Sequence, residues 1–259
     1  MILAATDLGR GRPLLILHGL FGSGDNWRSI ARSLADRYQV ILGDLRNHGA
    51  SGHSASMTYA DMAGDIAETL DSLQIETAYL VGHSMGGKAA MRFALDHPRR
   101  VGALVVVDIM PKPYPPHHTA VLRALAALEE NTPRSRKEAG AVLARHIELP
   151  QVRAFLLKSV APDAAGVYRW TLNSQAIQAA YHDIADWPEL DATFEGPTLF
   201  VRGEASDYIA SGDLQHARRW FPTAVQHEIR GAGHWVHADR REEFCDALGG
   251  FFAGAQGKA

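Results

Sequence analysis

The sequence predicts an α/β protein, with a mostly parallel central sheet flanked by helices and interrupted once by a helical insertion. Three observations predict it. Short continuous apolar runs of strand length recur along the chain without polar alternation, the pattern of strands buried on both faces. Segments of helical periodicity separate them, which implies parallel strands joined by right-handed crossovers. The alternation then lapses from Pro111 to about Gly196 before it resumes.

In chain order, Leu14-Leu15-Ile16-Leu17 is the first strand and runs into His18-Gly19-Leu20-Phe21-Gly22. A polar turn through Asp25 and Asn26 precedes a helical pattern from Trp27 to Arg37. Val40-Ile41-Leu42 is the second strand, followed by Gly43-Asp44 and a loop from Leu45 to Ser51. Met57 to Leu73 has a helical period through Met62, Ile66, Thr69, Leu70 and Leu73, with Thr58 and Asp61 as start signals. Tyr79-Leu80-Val81 is the third strand, and an Ala-rich helix begins past Ser84. Leu104 to Val107 is the fourth, ending in Asp108 and a proline-rich exit from Pro111 to Pro116. Thr198 to Val201 and Ala224 to Ile229 are the fifth and sixth, and a helix from Arg240 to Phe252 closes the chain. Between Pro111 and Gly196 the pattern is helical or irregular, with breakers at Pro133, Pro150, Pro162 and Pro188 and no convincing strand. An insertion there would cover the carboxyl ends of the strands, where open α/β sheets bind ligands. The expected organisation is a core of residues 1–110 and 197–259 carrying a helical cap, or lid, of residues 111–196.

Composition excludes several function classes. A chain of 259 residues with 46% hydrophobic and 21% charged residues can bury one sizeable core. A net charge of −3 without a dominant basic run argues against nucleic-acid binding, and Arg134 to Lys137 reads as a solvated helix end. With Cys245 as the single cysteine, neither an internal disulfide nor a cysteine-based metal site can form. The first residues lack an apolar signal core, and no apolar run approaches membrane-span length. These features predict a soluble cytoplasmic protein with no nucleic-acid and no membrane partner; the further expectations, which composition does not carry, are a small-molecule partner, a monomer or homodimer, and no metal or organic cofactor.

The chemistry centres on Gly82-His83-Ser84-Met85-Gly86. A serine between a strand and a helix, with glycine two residues before and two after, matches the nucleophile-elbow pattern G-x-S-x-G. A side chain at Gly82 or Gly86 would collide with the neighbouring element. The following helix directs its N-terminal N–H groups at the same spot, which suits a developing anion. A nucleophilic serine needs a base, a group that orients the base, and donors for the oxyanion. His234, on the glycine-rich stretch Gly231-Ala232-Gly233-His234-Trp235-Val236-His237, is the candidate base, with His237 as its rival. Asp108 and Asp207 are both candidate acids, each just beyond a strand end. The backbone N–H of Met85 is one oxyanion donor. The second comes from the loop after the first strand, with Leu20 the choice and Phe21 the alternative. His18 reads as structural, and Asp44 and Arg46 as braces of the elbow.

Taken together and in this order, HGLFGS, DLRNHGAS, GHSMGGK, VVDIMP and GAGHWVHAD resemble the α/β-hydrolase superfamily and, within it, the YbfF-like serine esterase group. The motifs span Leu14 to Asp239, nearly the whole chain. The resemblance implies an α/β-hydrolase fold with a helical cap, Ser84 as nucleophile and His234 as base. In this group the acid falls in the Val-Asp-Ile stretch, which favours Asp108, whereas Asp207 lies one residue later than the common G-x-x-D spacing. The candidate substrate contacts are Lys88, Trp170 and Trp235. Lys88 lies one helical turn from Ser84, and loop bracing is its preferred alternative role. Tyr168 and Trp187 could join Trp170 in lining an acyl pocket, although aromatics at this density also serve as packing. The expected activity is hydrolysis of short to medium acyl esters or thioesters through an acyl-enzyme. The rivals are carbon–carbon bond hydrolysis or perhydrolysis by the same triad, and a low-turnover ligand receptor on the same fold.

Overall fold

The placement of apolar side chains dictates where the strands run. In a computed structural model of the chain, which describes residues 1–256, the first half consists of β1 (Ala5–Leu8), β2 (Arg12–Leu17), α1 (Arg28–Leu34), β3 (Tyr38–Gly43), α2 (Tyr59–Ser72), β4 (Ala78–His83), α3 (Met85–Asp96) and β5 (Val101–Val107). There follow α4 (Thr119–Glu130), α5 (Arg136–Ala144), α6 (Pro150–Leu156), β6 (Val160–Pro162), β7 (Tyr168–Trp170), α7 (Ser174–Ala179) and α8 (Tyr181–Ala185). The chain then returns with β8 (Thr198–Gly203), α9 (Asp213–Ala217), β9 (Val225–Ile229), α10 (Val236–Asp239) and α11 (Arg241–Gln256). Residues 257–259 of the expected core lie outside the described residues.

Seven strands form one sheet in the order β1-β3-β2-β4-β5-β8-β9, with β1 antiparallel to β3 and the other pairs parallel. Residue alternation divides its two faces. Leu15, Leu17, Leu80 and Val106 point into one apolar layer with Met62 and Ile66 of α2 and Ala90 and Phe93 of α3. Leu14, Ile16, Val81 and Val105 point into the other with Ile30 of α1 and Phe244, Leu248 and Phe252 of α11. Full burial of each large apolar side chain is worth about 1.5–3 kcal/mol, so the central strands hold the scaffold rigid beneath their carboxyl ends.

Helix α2 starts where its sequence signals place it. Thr58 Oγ1 accepts from the Asp61 N–H at 3.1 Å and the Asp61 carboxylate accepts from the Thr58 N–H at 3.0 Å, a reciprocal cap.

The sheet has one strand more than the sequence predicts. β1 escapes notice because Ala5, Thr6 and Asp7 are exposed and so form no apolar run. The segment between β5 and β8 is largely helical, as expected, but it contains a hairpin where no strand is expected. Val160 pairs with Trp170 and Pro162 with Tyr168 in antiparallel register. Each arm has three residues, too few for an alternating pattern, and Asp163 closes the turn by accepting from the N–H groups of Ala165 and Val167 at 2.8 and 2.9 Å. Among the described residues no helix is long and apolar enough to cross a membrane.

Candidate active site

β4 delivers Ser84 to the carboxyl end of the sheet, and the turn into α3 is too tight for any residue but glycine on either side. A Cβ on Gly82 would lie 2.3 Å from the Gly86 carbonyl oxygen, and one on Gly86 would lie 2.5 Å from that of His18. Ser84 adopts φ 51° and ψ −120°, a conformation that costs a non-glycine residue about 1–3 kcal/mol and that its surroundings must impose. Its N–H donates to the Val107 carbonyl at 3.0 Å, which fastens the turn to β5. The side chain is half-buried at the N-terminus of α3.

The structure brings His234 onto Asp108. The imidazole Nδ1 lies 2.8 Å from Asp108 Oδ2, and the aspartate is fully buried while the histidine keeps 22% of its side-chain surface exposed. Asp108 leaves β5 with φ 51°, its N–H donating to the Val201 carbonyl at 2.8 Å. Its other oxygen accepts from the Gly203 N–H at 3.0 Å, and the Ser206 hydroxyl donates to Oδ2. With every partner a donor, the carboxylate is oriented as an acceptor for an imidazole N–H. Asp207, the other candidate acid, is exposed and makes none of these hydrogen bonds, in which its neighbour Ser206 takes part.

Two supports hold His234, one at its ring and one at its backbone. Tyr208 stacks on it at 3.8 Å between centroids with 16° between planes. His83, next to the nucleophile, donates from Nε2 to the His234 carbonyl oxygen at 2.9 Å. Gly203 lets the loop approach, since a Cβ there would lie 2.3 Å from the Gly233 carbonyl oxygen. His237, the rival base, is buried and stacked on Trp27 at 3.8 Å, and burial lowers its pKa to about 3. It is a packing residue beneath the site.

On the loop after β2, the Phe21 N–H donates to His48 Nε2 at 3.1 Å and the Gly22 N–H donates to the Gly19 carbonyl at 3.0 Å. The Phe21 amide, the alternative oxyanion donor, is thereby consumed. Among the described residues the Leu20 amide has no intramolecular acceptor, and Met85 is the first residue of α3, where the helix supplies none. His18 accepts from the Leu45 N–H at 3.0 Å and its other ring nitrogen lies 2.8 Å from the Gly19 carbonyl, so it ties this loop to the one after β3. Burial holds its pKa down to about 4.

Ser84 and His234 face a cavity that Trp235, Phe155 and Trp27 also line. Ser84 also faces a second cavity, lined by Met85, Lys88, Ile109, Tyr114 and Ile184. Both lie between the sheet and the helical segment. Lys88 reaches the second cavity but spends its ammonium on bracing: Nζ donates to the carbonyls of Ala185 and Asp186 at 3.0 and 2.8 Å. Burial lowers its pKa to about 7, against the attraction of Asp186.

Three sequence expectations require correction. Trp170 lines neither cavity; it is buried within the helical segment, with Nε1 donating to the Leu125 carbonyl at 3.1 Å. Trp187 packs against Tyr59 and Trp220 and lines neither cavity. Asp44 and Arg46 brace loops other than the elbow. Asp44 accepts from the N–H groups of Gly24 and Ala50 at 2.7 and 2.8 Å, while Arg46 forms a buried pair with Asp65 at 2.6 Å. Ser206, Tyr208 and His83 are the site neighbours that sequence reasoning missed. Only His83 had a local signal, as the residue before the serine. Among the described residues no group of three or more His, Cys, Asp or Glu side chains is arranged to hold a metal ion.

Comparison with known proteins follows the same lines. A family model described as the alpha/beta hydrolase fold matches residues 12–240. The sn-1-specific diacylglycerol lipase ABHD11 of Xenopus laevis is 41% identical over 254 residues, covering 95% of this chain and 81% of its own. Esterase YbfF of Escherichia coli K12 is 36% identical over 237 residues and is matched over 91% of each chain. Among solved structures, a marine microorganism esterase superposes with a TM-score of 0.92 at 41% identity, over 96% of this chain and 99% of that one.

Proposed function

The chain belongs to the alpha/beta hydrolase fold family, and from that premise we propose that it is a serine carboxylesterase acting on short to medium acyl esters. The observation that carries the reading is the placement of a fully buried, hydrogen-bonded Asp108 against the His234 ring, in a cavity that also exposes Ser84. Relatives named as esterases and as a diacylglycerol lipase point the same way.

In the proposed cycle, Ser84 Oγ attacks the ester carbonyl carbon and passes its proton to His234 Nε2. Asp108 accepts from the Nδ1–H throughout, fixing the tautomer and stabilising the imidazolium. The amides of Leu20 and Met85 take the charge that moves onto the carbonyl oxygen, each worth about 2.7–4 kcal/mol. Collapse expels the alcohol, which leaves with the proton from His234, and Ser84 keeps the acyl group. A water then attacks with His234 as base, and the acid departs as the proton returns to Ser84. The same steps cleave a thioester, with a thiol leaving.

The two cavities divide the substrate. We place the acyl limb in the apolar space beside Met85 and Ile109, and the alcohol limb beside Trp235. Residues 111–196 act as a cap over residues 1–110 and 197–259, excluding bulk water from the reacting bond.

A fluorophosphonate probe combined with a panel of 4-nitrophenyl esters, acyl-thioesters and diketones of graded length tests the proposal. The expected result is stoichiometric labelling of Ser84 and turnover of esters, both lost in Ser84→Ala. Turnover confined to diketones would instead assign carbon–carbon bond cleavage, and labelling without turnover a receptor.

A further inference from the structure

Among the described residues, three line both cavities that meet above the serine: Leu20, Ser84 and His118. Two of them already have places in the proposed reaction. The third is contributed by the cap, just before α4, and the cycle above does not use it.

His118 is held in one orientation by Tyr181. Its backbone N–H donates to the tyrosine oxygen at 3.1 Å, and its ring Nδ1 lies 3.0 Å from that same oxygen. Because the oxygen accepts from the amide, its own hydrogen is free to point at Nδ1. An imidazole that accepts at Nδ1 carries its proton on Nε2. Burial keeps the ring neutral, with a pKa lowered to about 4 to which the nearby His234 and His117 also contribute. With the Tyr181 hydrogen on Nδ1, this side chain is at neutral pH a hydrogen-bond donor at Nε2 and not a second base.

Its position relative to the oxyanion loop gives that donor a target. The ring meets Phe21 edge-on at 5.7 Å, which sets it above the loop that carries Leu20. That loop has few donors to offer, because the Phe21 and Gly22 amides are committed to His48 and Gly19. A carbonyl carbon bonded to Ser84, with one limb in each cavity, must sit where the cavities join, and His118 lines both cavities there.

We propose that His118 completes the oxyanion site from the cap, its Nε2–H donating to the substrate carbonyl oxygen beside the amides of Leu20 and Met85, with Tyr181 as the positioning residue that fixes the tautomer. The assignment rests on the esterase reading above. His118 makes and breaks no covalent bond, and its proton stays on Nε2 through both halves of the cycle.

The test uses the full chain and compares kcat and KM for 4-nitrophenyl butyrate and ethyl butyrate. If the wild type neither hydrolyses these esters nor is labelled at Ser84 by a fluorophosphonate, the esterase reading fails and this assignment falls with it. With an active wild type, His118→Leu is expected to lower kcat about 10- to 100-fold with little change in KM. The loss should be the same for both esters, because they share the carbonyl oxygen and differ in the leaving group. His118→Gln, which keeps an N–H donor, should recover about tenfold of it, and Tyr181→Phe should lower kcat about 3- to 10-fold at constant KM. Unchanged kcat in His118→Leu overturns the proposal and leaves the esterase reading standing. A loss confined to the ethyl ester places the donor on the leaving oxygen and also overturns it. Should His118→Leu fail to fold, ¹⁵N-histidine NMR of the wild type with a trifluoromethyl ketone decides. The expected result is an Nε2-bound proton on His118 that shifts as the ketone adds to Ser84; an Nδ1-bound proton, or no shift, overturns the proposal.

Discussion

His234 Nδ1 lies 2.8 Å from Asp108 Oδ2, while the Gly203 N–H, at the end of β8, holds Oδ1 and the Ser206 hydroxyl, just beyond it, donates to Oδ2 as well. Orientation of the imidazole therefore depends on two neighbouring strands at once. Asp108→Asn keeps the shape but presents an amide that favours the wrong tautomer, and kcat is expected to fall about 10⁴-fold. Asp207→Asn, at an exposed position outside the network, should stay within about twofold of the wild type. Steady-state kinetics on one ester distinguish the two; the reverse pattern would move the acid to Asp207.

Gly203 should be intolerant of a methyl group. Its Cβ would meet two backbone carbonyls, 2.3 Å from Gly233 and 2.7 Å from Ala232, and the histidine loop would have to move. Gly203→Ala is expected to cost about 1–3 kcal/mol and to depress kcat by displacing His234. Gly64→Ala is the control, since that site within α2 has nothing within 4 Å, and it should stabilise by about 0.5–1 kcal/mol. Urea melts read both.

Buried neutral histidines set an acid limit on stability. The pKa values of His18, His48 and His237 are lowered from 6.5 to about 4, 3 and 3, in each case chiefly by burial. Below about pH 6.5 the unfolded chain takes up protons that the folded chain refuses, so stability falls as pH drops toward about 3–4 and is fully present above about 6.5. Thermal midpoints across that window should decline accordingly. His237→Phe, which retains a ring to stack on Trp27, should flatten part of the slope. An equal slope in that variant would count against this account.

Lys88 ties α3 to the end of α8 through the carbonyls of Ala185 and Asp186 and lies 4.9 Å from the centre of the Tyr114 ring. Lys88→Met should destabilise by about 1–3 kcal/mol and speed proteolysis near Asp186. The pKa of Lys88 is lowered from 10.5 to about 7, so the wild type should gain stability as pH rises through that interval, and the variant should not. If the variant instead melts like the wild type but binds anionic esters less well, the lysine serves the substrate.

Legibility in the sequence tracks how local each cause is. The elbow is legible because Gly82 and Gly86 answer to a steric demand within five residues of one turn, and the buried strands because each is a continuous apolar run. His234 stands out through its glycine flanks and its place late in the chain. Ser206 does not: its contact with Asp108 follows from the pairing of β5 with β8, where Val107 sits opposite Val201, and no spacing in the sequence encodes that register. β1 is hidden because its residues face solvent, and the β6–β7 hairpin because three residues cannot display a period. Trp170 misleads for a related reason. An aromatic ring reads the same whether it faces a cavity or the interior of a helical layer, and only the Leu125 carbonyl reveals which.

The chain departs from the sheet immediately after Asp108 and is back on it before Ser206, so both sides of one carboxylate's hydrogen-bond shell flank the excursion rather than lie within it. Residues 111–196 can thus be treated as a cassette. A relative's equivalent can be spliced between those points to retune what enters the enzyme, while the geometry of the Asp108–His234 pair stays with the host.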